Sequence, residues 1–429
     1  MTGPSRAVSR GYAWIVFGLS FGLLLSDYMS RQVLNAVFPL LKAEWMLTDA
    51  QLGSLSGIVA LMVGVLTFPL SLLADRWGRA RSLVLAAVVW SLATLGCAVA
   101  ASYGQMFLGR FLVGVGEAAY GSVGIAVVIS VFPATMRATL SGAFIAGGAF
   151  GSVLGVSVGG VVAQHLGWRW TFAVMGLFGL ALAGVYSIVV TEGRLARACL
   201  DRGDAPGADG PVRSLLPRLF STASVRCAYL GSGLQMFLAM ALLAWMPSYL
   251  DRSYGLSTDR AGLVAGVFAL VTGVGMVGGG LVSDRLGRRD THHKWTLAVL
   301  CSTGSLVLLG TGFHLPNGAA QLLLIGAGTL LSNATAGPAA AMVVSLTPPA
   351  VVATAMATLT LANSLIGLAP GPAVTGLLAD RIGLHAALGV IPFVSLPAAL
   401  AFAIGRRRYA ADLRVPVPAR PLTTTELPT

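Results

Sequence analysis

Four ionisable side chains stand inside long apolar stretches of this sequence: Asp27, Arg31, Arg110 and Glu117. A charge at the centre of a hydrocarbon layer costs at least about 2.5–3.5 kcal/mol on insertion scales. Residues kept at that cost usually mark substrate pathways or proton relays. Their spacing groups them in pairs. Asp27 and Arg31 are four positions apart, one helical turn along one face. Arg110 and Glu117 are seven apart, about two turns along one face. The formal charges cancel. An arginine offers a planar donor fork that suits a carboxylate or phosphate, which assigns Arg31 and Arg110 to an anionic head group. A carboxyl in an apolar cavity gains proton affinity by desolvation and loses it beside a guanidinium. Glu117 is therefore the candidate carrier of a coupling proton, with Asp27 assisting or substituting. The competing reading is two internal ion pairs that only fix packing, since a buried pair is often no better than apolar residues of similar size.

The elements that carry these charges follow from composition. The chain has 429 residues, of which 56% are hydrophobic and only 10% charged, against about 25% charged in soluble proteins. That excludes a soluble enzyme and a disordered chain. The formal net charge is +12, and the charges cluster between apolar runs, which points to a membrane and away from nucleic acid. Twelve runs approach the ~20 residues needed to cross a bilayer: roughly 13–41, 50–74, 82–101, 105–131, 138–163, 170–190, 227–250, 259–283, 295–313, 319–345, 352–379 and 385–405. They are too long and too uniformly apolar for barrel strands. Run one is not a secretory signal, because Asp27 and Arg31 interrupt it and no small-residue cleavage site follows.

Sorting the 28 Lys and Arg by alternate loops puts 21 on one side and five on the other, with Arg31 and Arg110 inside spans. The positive-inside rule then places both termini and the central loop in the cytoplasm. Of the basic residues only Lys42 and Lys294 are lysines, a skew that suggests a GC-rich bacterial genome and hence a bacterial inner membrane. The polar stretch 191–226 divides the chain into an N-terminal half, 1–190, and a C-terminal half, 227–408, with a Pro/Thr-rich tail at 409–429 expected to be disordered. Cys97, Cys199, Cys227 and Cys301 form no CxxC pair, so neither a disulfide framework nor a metal site follows.

One loop motif occurs twice. Asp75-Arg76-Trp77-Gly78-Arg79 lies between runs two and three, and Asp284-Arg285-Leu286-Gly287-Arg288 between runs eight and nine. Both read D-R-x-G-R in equivalent loops, which implies two parallel structural repeats of six spans. In this the chain resembles the major facilitator superfamily, over about residues 1–405. The first copy begins with Ser71 where that family usually has Gly. A finer resemblance is to the spinster-like transporters and the related anion:cation symporters. It rests on Gly116-Glu117-Ala118-Ala119-Tyr120, on Trp245-Met246-Pro247-Ser248-Tyr249-Leu250 followed by Tyr254-Gly255-Leu256-Ser257, and on Asn363-Ser364-Leu365-Ile366-Gly367 followed by Gly371-Pro372. Span one departs from these families: Tyr28-Met29-Ser30-Arg31 puts Ser30 where they carry Asp, and Asp27 is the nearest carboxylate.

The resemblance implies an all-α membrane protein with twelve helices in two pseudo-symmetric halves. Spans one and four would border a central cavity, and the chain would be monomeric. It also implies that Asp75, Arg76, Arg79, Asp284, Arg285 and Arg288 act as a cytoplasmic latch, although positive charges at helix ends equally hold topology. The C-terminal half has no intramembrane charge. Its Gln235, Asn333, Thr335 and Asn363 either hydrogen-bond a substrate or join helices; Gln235 and Asn363 are the candidates for the cavity. The rows Gly151/Gly155/Gly159, Gly53/Gly57 and Gly262/Gly266 let helices approach closely and could let them slide. His292 and His293 read as solvated. No P-loop or HExxH pattern falls in the chain, so no cofactor is called for and an intramembrane enzyme is disfavoured. The expected function is a proton-coupled secondary transporter of an organic or lysolipid-like anion, its partners being substrate, protons and membrane lipids. The alternative substrates are small sugar acids or carboxylates. A transporter-like sensor is a third class.

Overall fold

A computed structural model describes residues 10–118, 120–195, 222–287, 292–347 and 352–412. All regular structure among them is helical. In the N-terminal half, α1 is Arg10–Ala36, α2 Phe38–Trp45, α3 Asp49–Trp77, α4 Arg79–Ala98, α5 Tyr103–Glu117, α6 Tyr120–Val131, α7 Ala134–Leu166 and α8 Trp168–Val189. In the C-terminal half, α9 is Ala223–Tyr254, α10 Thr258–Gly287, α11 His292–His314, α12 Ala319–Asn333, α13 Ala336–Leu346 and α14 Val352–Ala362. A π-helical turn at Asn363–Leu368 leads to α15, Pro370–Ile382. Then come α16, Leu384–Val390, a 3-10 turn at Ile391–Val394 and α17, Ser395–Asp412.

Among the described residues, eleven stretches are long and apolar enough to cross a membrane. The remaining expected run, 105–131, is carried by α5 and α6 in succession, 15 and 12 residues long. The result is the twelve-helix, two-half architecture. The fourth crossing of each half is discontinuous, which the apolar runs did not signal. In the N-terminal half the break is a turn at Ala118, directly after Glu117, in a stretch rich in poor helix formers (Gly114, Gly116, Gly121). In the C-terminal half it falls between Asn333 and Ala336. There Asn333 Nδ2 and Thr335 Oγ1 donate to the carbonyls of Thr329 and Ser332 at 2.9 and 2.8 Å, and Pro338 supplies no N–H to the next turn.

The glycine rows divide by what they touch. Gly151 and Gly155 bring α7 onto α1: a Cβ at Gly151 would lie 2.9 Å from the Leu25 carbonyl oxygen, and one at Gly155 2.8 Å from that of Met29. This row packs one half and fixes the face α1 presents. Gly53 and Gly57 instead press on the carbonyls of Pro372 and Ala369, and Gly262 on that of Val156 at 2.8 Å. These rows hold the two halves together.

The halves join at one end. Away from the Arg-rich loops, the buried apolar side chains form one continuous cluster spanning both halves, with Phe38 and Trp245 5.2 Å apart at its centre. Nearer the Arg-rich end the core splits into one cluster around Trp90 and Tyr120 and another around Trp295 and Phe402. The glycine contacts across the halves, from Gly53 to Gly64 on α3 and from Gly262 to Gly273 on α10, occupy the same end. Thus the bundle is sealed opposite the Arg-rich loops.

One boundary and one side chain differ from expectation. Residues 409–412 continue α17, because Tyr409 is buried against Trp295 at 6.0 Å and the Asp412 carboxylate accepts from the Ser224 N–H at 2.8 Å, capping α9. His292 is not simply solvated: its ring stands edge-on to Tyr409 at 5.2 Å. The central linker from 196 to 221, including Cys199, and the tail from 413 lie outside the described residues.

Candidate functional site

The polar face of α1 is where the site begins. Asp27, Arg31 and Asn35 follow at intervals of four, and α7 is seated against the adjoining face through its glycines. The turn after Glu117 ends α5 level with this face. Arg31 donates from Nη2 and Nε to Oε2 of Glu117 at 2.7 and 3.0 Å. The Glu117 side chain has no exposed surface and that of Arg31 has 12%. The guanidinium also lies over the Tyr28 ring, 5.3 Å from its centroid, a favourable cation–π placement.

Asp27 is buried, within hydrogen-bonding reach of the Glu117 carboxyl and in the field of Arg31. Oδ1 of Asp27 and Oε1 of Glu117 are both buried and accept no hydrogen bond among the described residues. One guanidinium thus faces two carboxyl groups. The expected pairing within α1 is replaced by a triad across two helices. Sequence spacing shows which residues share a face, not which face meets which.

Arg110 departs from expectation. It is fully buried, and instead of facing Glu117 or a cavity its guanidinium donates to the carbonyls of Ser30 at 2.9 Å, Arg31 at 3.0 Å and Leu55 at 3.5 Å. It ties α5 to α1 and α3 immediately behind the triad. With no exposed atom it is not placed to meet a ligand in this state. Its surroundings make it the residue that holds the backbone of Arg31.

Gln235 on α9 is fully buried, and its Oε1 accepts from the Ser332 hydroxyl at 3.0 Å, which joins α9 to α12. Its Nε2 is buried without a partner among the described residues, as are Oδ1 of Asn363 and Oδ1 of Asn35. Asn35 donates to Gln32 Oε1 at 2.6 Å. Of the loop motif, Arg76, Arg79, Asp284 and Arg285 are exposed at the Arg-rich end, Arg79 with an interaction of its own. Nothing is described of the Asp75 side chain, and Arg288 lies outside the described residues.

From the sequence, Tyr28 and Tyr120 stood only as parts of quoted motifs, with no role assigned, and Gln32 and Asn35 were not singled out. Tyr120 donates to the Ser20 carbonyl at 2.5 Å and stands edge-on to Trp90 at 5.1 Å, bracing α6 and α4 beside α1. The four-residue rhythm Asp27-Arg31-Asn35 was the signal available.

The sequence profile of the Major Facilitator Superfamily matches residues 20–369 and, in a second match, 228–427. The chain belongs to the major facilitator superfamily. Within it the chain is similar to spinster-type and to organic-acid transporters. It is 27% identical over 387 residues to the sphingosine-1-phosphate transporter SPNS2 of Danio rerio, covering 85% of this chain and 75% of that one. It is 25% identical over 295 residues to the hexuronate transporter of Bacillus subtilis (strain 168), covering 66% and 68%. Its fold matches the crystal structure of a bacterial homologue of the human lysosomal transporter Spinster, in an inward-facing, unoccupied conformation. That match has a TM-score of 0.83 at 20% identity and covers 94% of this chain and 99% of the other. The relatives are transporters, and this member is a transporter and not an enzyme.

Proposed function

We propose that this facilitator carries an organic anion together with a proton by alternating access. Arg31 is the anion-binding group, and the Asp27–Glu117 carboxyl pair is the proton site. The observation that carries this reading is the two-to-one ratio: two buried carboxyl groups face one guanidinium. Arg110 behind the triad balances the formal charge, but it donates to carbonyls, so Oδ1 of Asp27 and Oε1 of Glu117 go without a donor among the described residues, a need that a proton shared between adjacent carboxyls meets.

The exchange works through Arg31, the partly exposed member of its pair. Protonating Glu117 removes its negative charge and weakens the ion pair. The guanidinium fork is then available to a substrate carboxylate or phosphate. When the substrate leaves, Glu117 gives up its proton and reclaims Arg31. Binding of anion and proton are thereby linked, and the linkage is reciprocal. With the Arg-rich loops in the cytoplasm, the sealed end is the outer one and this conformation opens inward. Asp75, Arg76 and Arg79 with Asp284, Arg285 and Arg288 would close the cytoplasmic end in the opposite state.

An amphiphilic anion suits a wall on the C-terminal half that carries no charge. A second reading, small sugar acids or carboxylates, is favoured by the unpartnered amide atoms of Gln235, Asn363 and Asn35, which are suited to hydroxyl groups. The test is thermal stability of the purified protein at several pH values against lysophospholipids and sugar acids, since a ligand stabilises the state it binds by mass action. The proposal expects an anion from one panel to shift the wild type in a pH-dependent way, and Glu117→Gln to remove that dependence. Ligand stabilisation with the same pH dependence in the variant would reject Glu117 as the proton site.

A further inference from the structure

The sealed end holds a cluster of four charges that the site does not use, and two of them are contributed by each half. Asp49, the first residue of α3, is buried. Its carboxylate accepts from Arg252 Nη1 and Nη2 at 2.7 and 2.6 Å and from Lys42 at 2.5 Å. Arg252 belongs to α9, so the fork crosses between the halves. A second carboxylate crosses in the opposite sense. Asp380, near the end of α15, accepts from the backbone N–H of Asp49 through Oδ1 at 2.7 Å and from that of Ala50 through Oδ2 at 2.9 Å. The first N–H groups of a helix have no partner within it, and its N-terminus favours a negative charge. α3 is 29 residues long, so Asp380 occupies a strong anion position. Gly376 packs directly on the Asp49 carbonyl, an approach a side chain would prevent.

The sequence around Asp380 has a counterpart. Leu377-Leu378-Ala379-Asp380-Arg381-Ile382-Gly383 repeats Leu72-Leu73-Ala74-Asp75-Arg76-Trp77-Gly78 in six of seven positions. The backbone repeats as well. Gly78 and Gly383 both have positive φ, +101° and +82°, and each stops one helix directly before the next begins. The two copies lie at opposite ends of the bundle.

We propose that Asp380 is the working residue of an outer latch. It belongs to a third, inverted copy of the loop motif, with Leu384 in place of the closing Arg, and it keeps the sealed end shut by clamping the N-terminus of α3, with Arg252–Asp49 as the second bolt. This inference rests on the alternating-access reading, because the latch has a purpose only if the sealed end must open. Both bolts bind the first turn of α3, and the four side chains are neutral in sum. Separation of the halves breaks them together and returns the buried Asp49 carboxylate to water.

The test is a distance measurement in lipid nanodiscs. Spin labels are placed at Val99→Cys in the N-terminal half and Ser257→Cys in the C-terminal half, both exposed at the sealed end, in a background with the four native cysteines replaced. Asp380→Ala should raise the population with separated outer ends by roughly tenfold, as expected for loss of a charge-assisted contact. Arg252→Ala should act in the same direction, and Asp380→Glu should restore most of the closed population. If Asp380→Ala does not fold, Asp380→Asn, which keeps the shape and one acceptor but not the charge, should give a smaller shift of the same sign. A distance distribution unchanged by Asp380→Ala or Asp380→Asn overturns the latch, and if flux is retained the transport reading stands. If neither wild type nor variants separate their outer ends under any ligand or pH, and none shows flux, the transport reading itself fails.

Discussion

Arg31 and Glu117, 86 positions apart in the sequence, meet as a two-nitrogen ion pair with Asp27 as a second carboxyl neighbour. The arrangement gives the two buried arginines of this half different tasks. Arg31 retains some access and is paired with a group that can be neutralised. Arg110 is sealed and paired with carbonyls that cannot be.

Substitutions should separate those tasks. Arg110→Ala leaves carbonyls of α1 and α3 without their charged donor, and hydrogen bonds to charged groups are worth about 1.5–3 kcal/mol each. Thermal unfolding in detergent should show a loss of roughly that size or more for Arg110→Ala, before any ligand is added. Arg31→Ala should lose less stability than Arg110→Ala, because the stranded Glu117 carboxyl can take up a proton where carbonyls cannot, yet lose at least about tenfold in anion affinity, the equivalent of one such bond. Equal loss of stability in both variants, with binding intact in Arg31→Ala, would contradict the division.

Arg31→Lys keeps the charge but not the fork. Lysine is a compact, strongly hydrated point charge, so it should hold Glu117 while binding a carboxylate or phosphate less well. Titration calorimetry should find weaker binding in Arg31→Lys than in the wild type at every pH. Wild-type affinity in this variant would mean that charge alone recruits the anion.

The glycines across the halves make a steric prediction. A Cβ at Gly262 would lie 2.8 Å from the Val156 carbonyl oxygen and 3.1 Å from Gly160 Cα. Gly262→Val should therefore pry the sealed end apart and raise its labelling by a membrane-impermeant thiol reagent at Thr258→Cys, which is buried against α7 in the closed state. The same change at Gly96, where no atom lies within 4 Å of a Cβ, should leave labelling as it is. Equal labelling of the two variants would refute the interface role.

Glu44, in α2 outside the crossing helices, gives a pH-dependent effect of known sign. Trp168 donates to its Oε2 at 2.6 Å and Arg169 to its Oε1 at 2.8 Å. These hydrogen bonds, led by that from Trp168, hold its carboxyl below the usual carboxylate range. A lowered folded-state value stabilises the fold above the ordinary glutamate pKa of about 4.3 and loses that effect as pH falls through the folded value. The side chain is 40% exposed, so solvent screening limits the gain to about 1 kcal/mol or less. Glu44→Gln should lower stability slightly at pH 7 and converge on the wild type in acid. A difference that grows on acidification would have the wrong sign.

The sequence made the crossings legible because each is a long apolar run, and the four intramembrane charges stood out against that background. Their partners were not legible. Spacing fixed Asp27 and Arg31 on one face of α1, but whether that face meets α5 depends on the Gly151/Gly155 contact with α7 and on where α5 stops. The break after Glu117 and the one at Asn333 lie within runs whose hydropathy does not change there. Asp49, Arg252 and Asp380 read only as loop charges on the less basic side. The repeat of Leu72–Gly78 at Leu377–Gly383 was in plain view, but an inverted copy at the opposite end of the bundle falls outside a search for equivalent loops in two parallel halves.

The central claim is that the Asp27–Glu117 pair carries a proton with the anion bound at Arg31. The most direct measurement is proton movement inside liposomes holding a pH dye and the purified protein, after adding the anion that stabilises it, for wild type and Glu117→Gln. Substrate exchange is followed in parallel with labelled anion. The account predicts substrate-dependent proton flux in the wild type, and in Glu117→Gln the loss of that flux while anion exchange across the membrane continues. Wild-type proton flux in Glu117→Gln, or anion transport in the wild type with no proton movement, would contradict it.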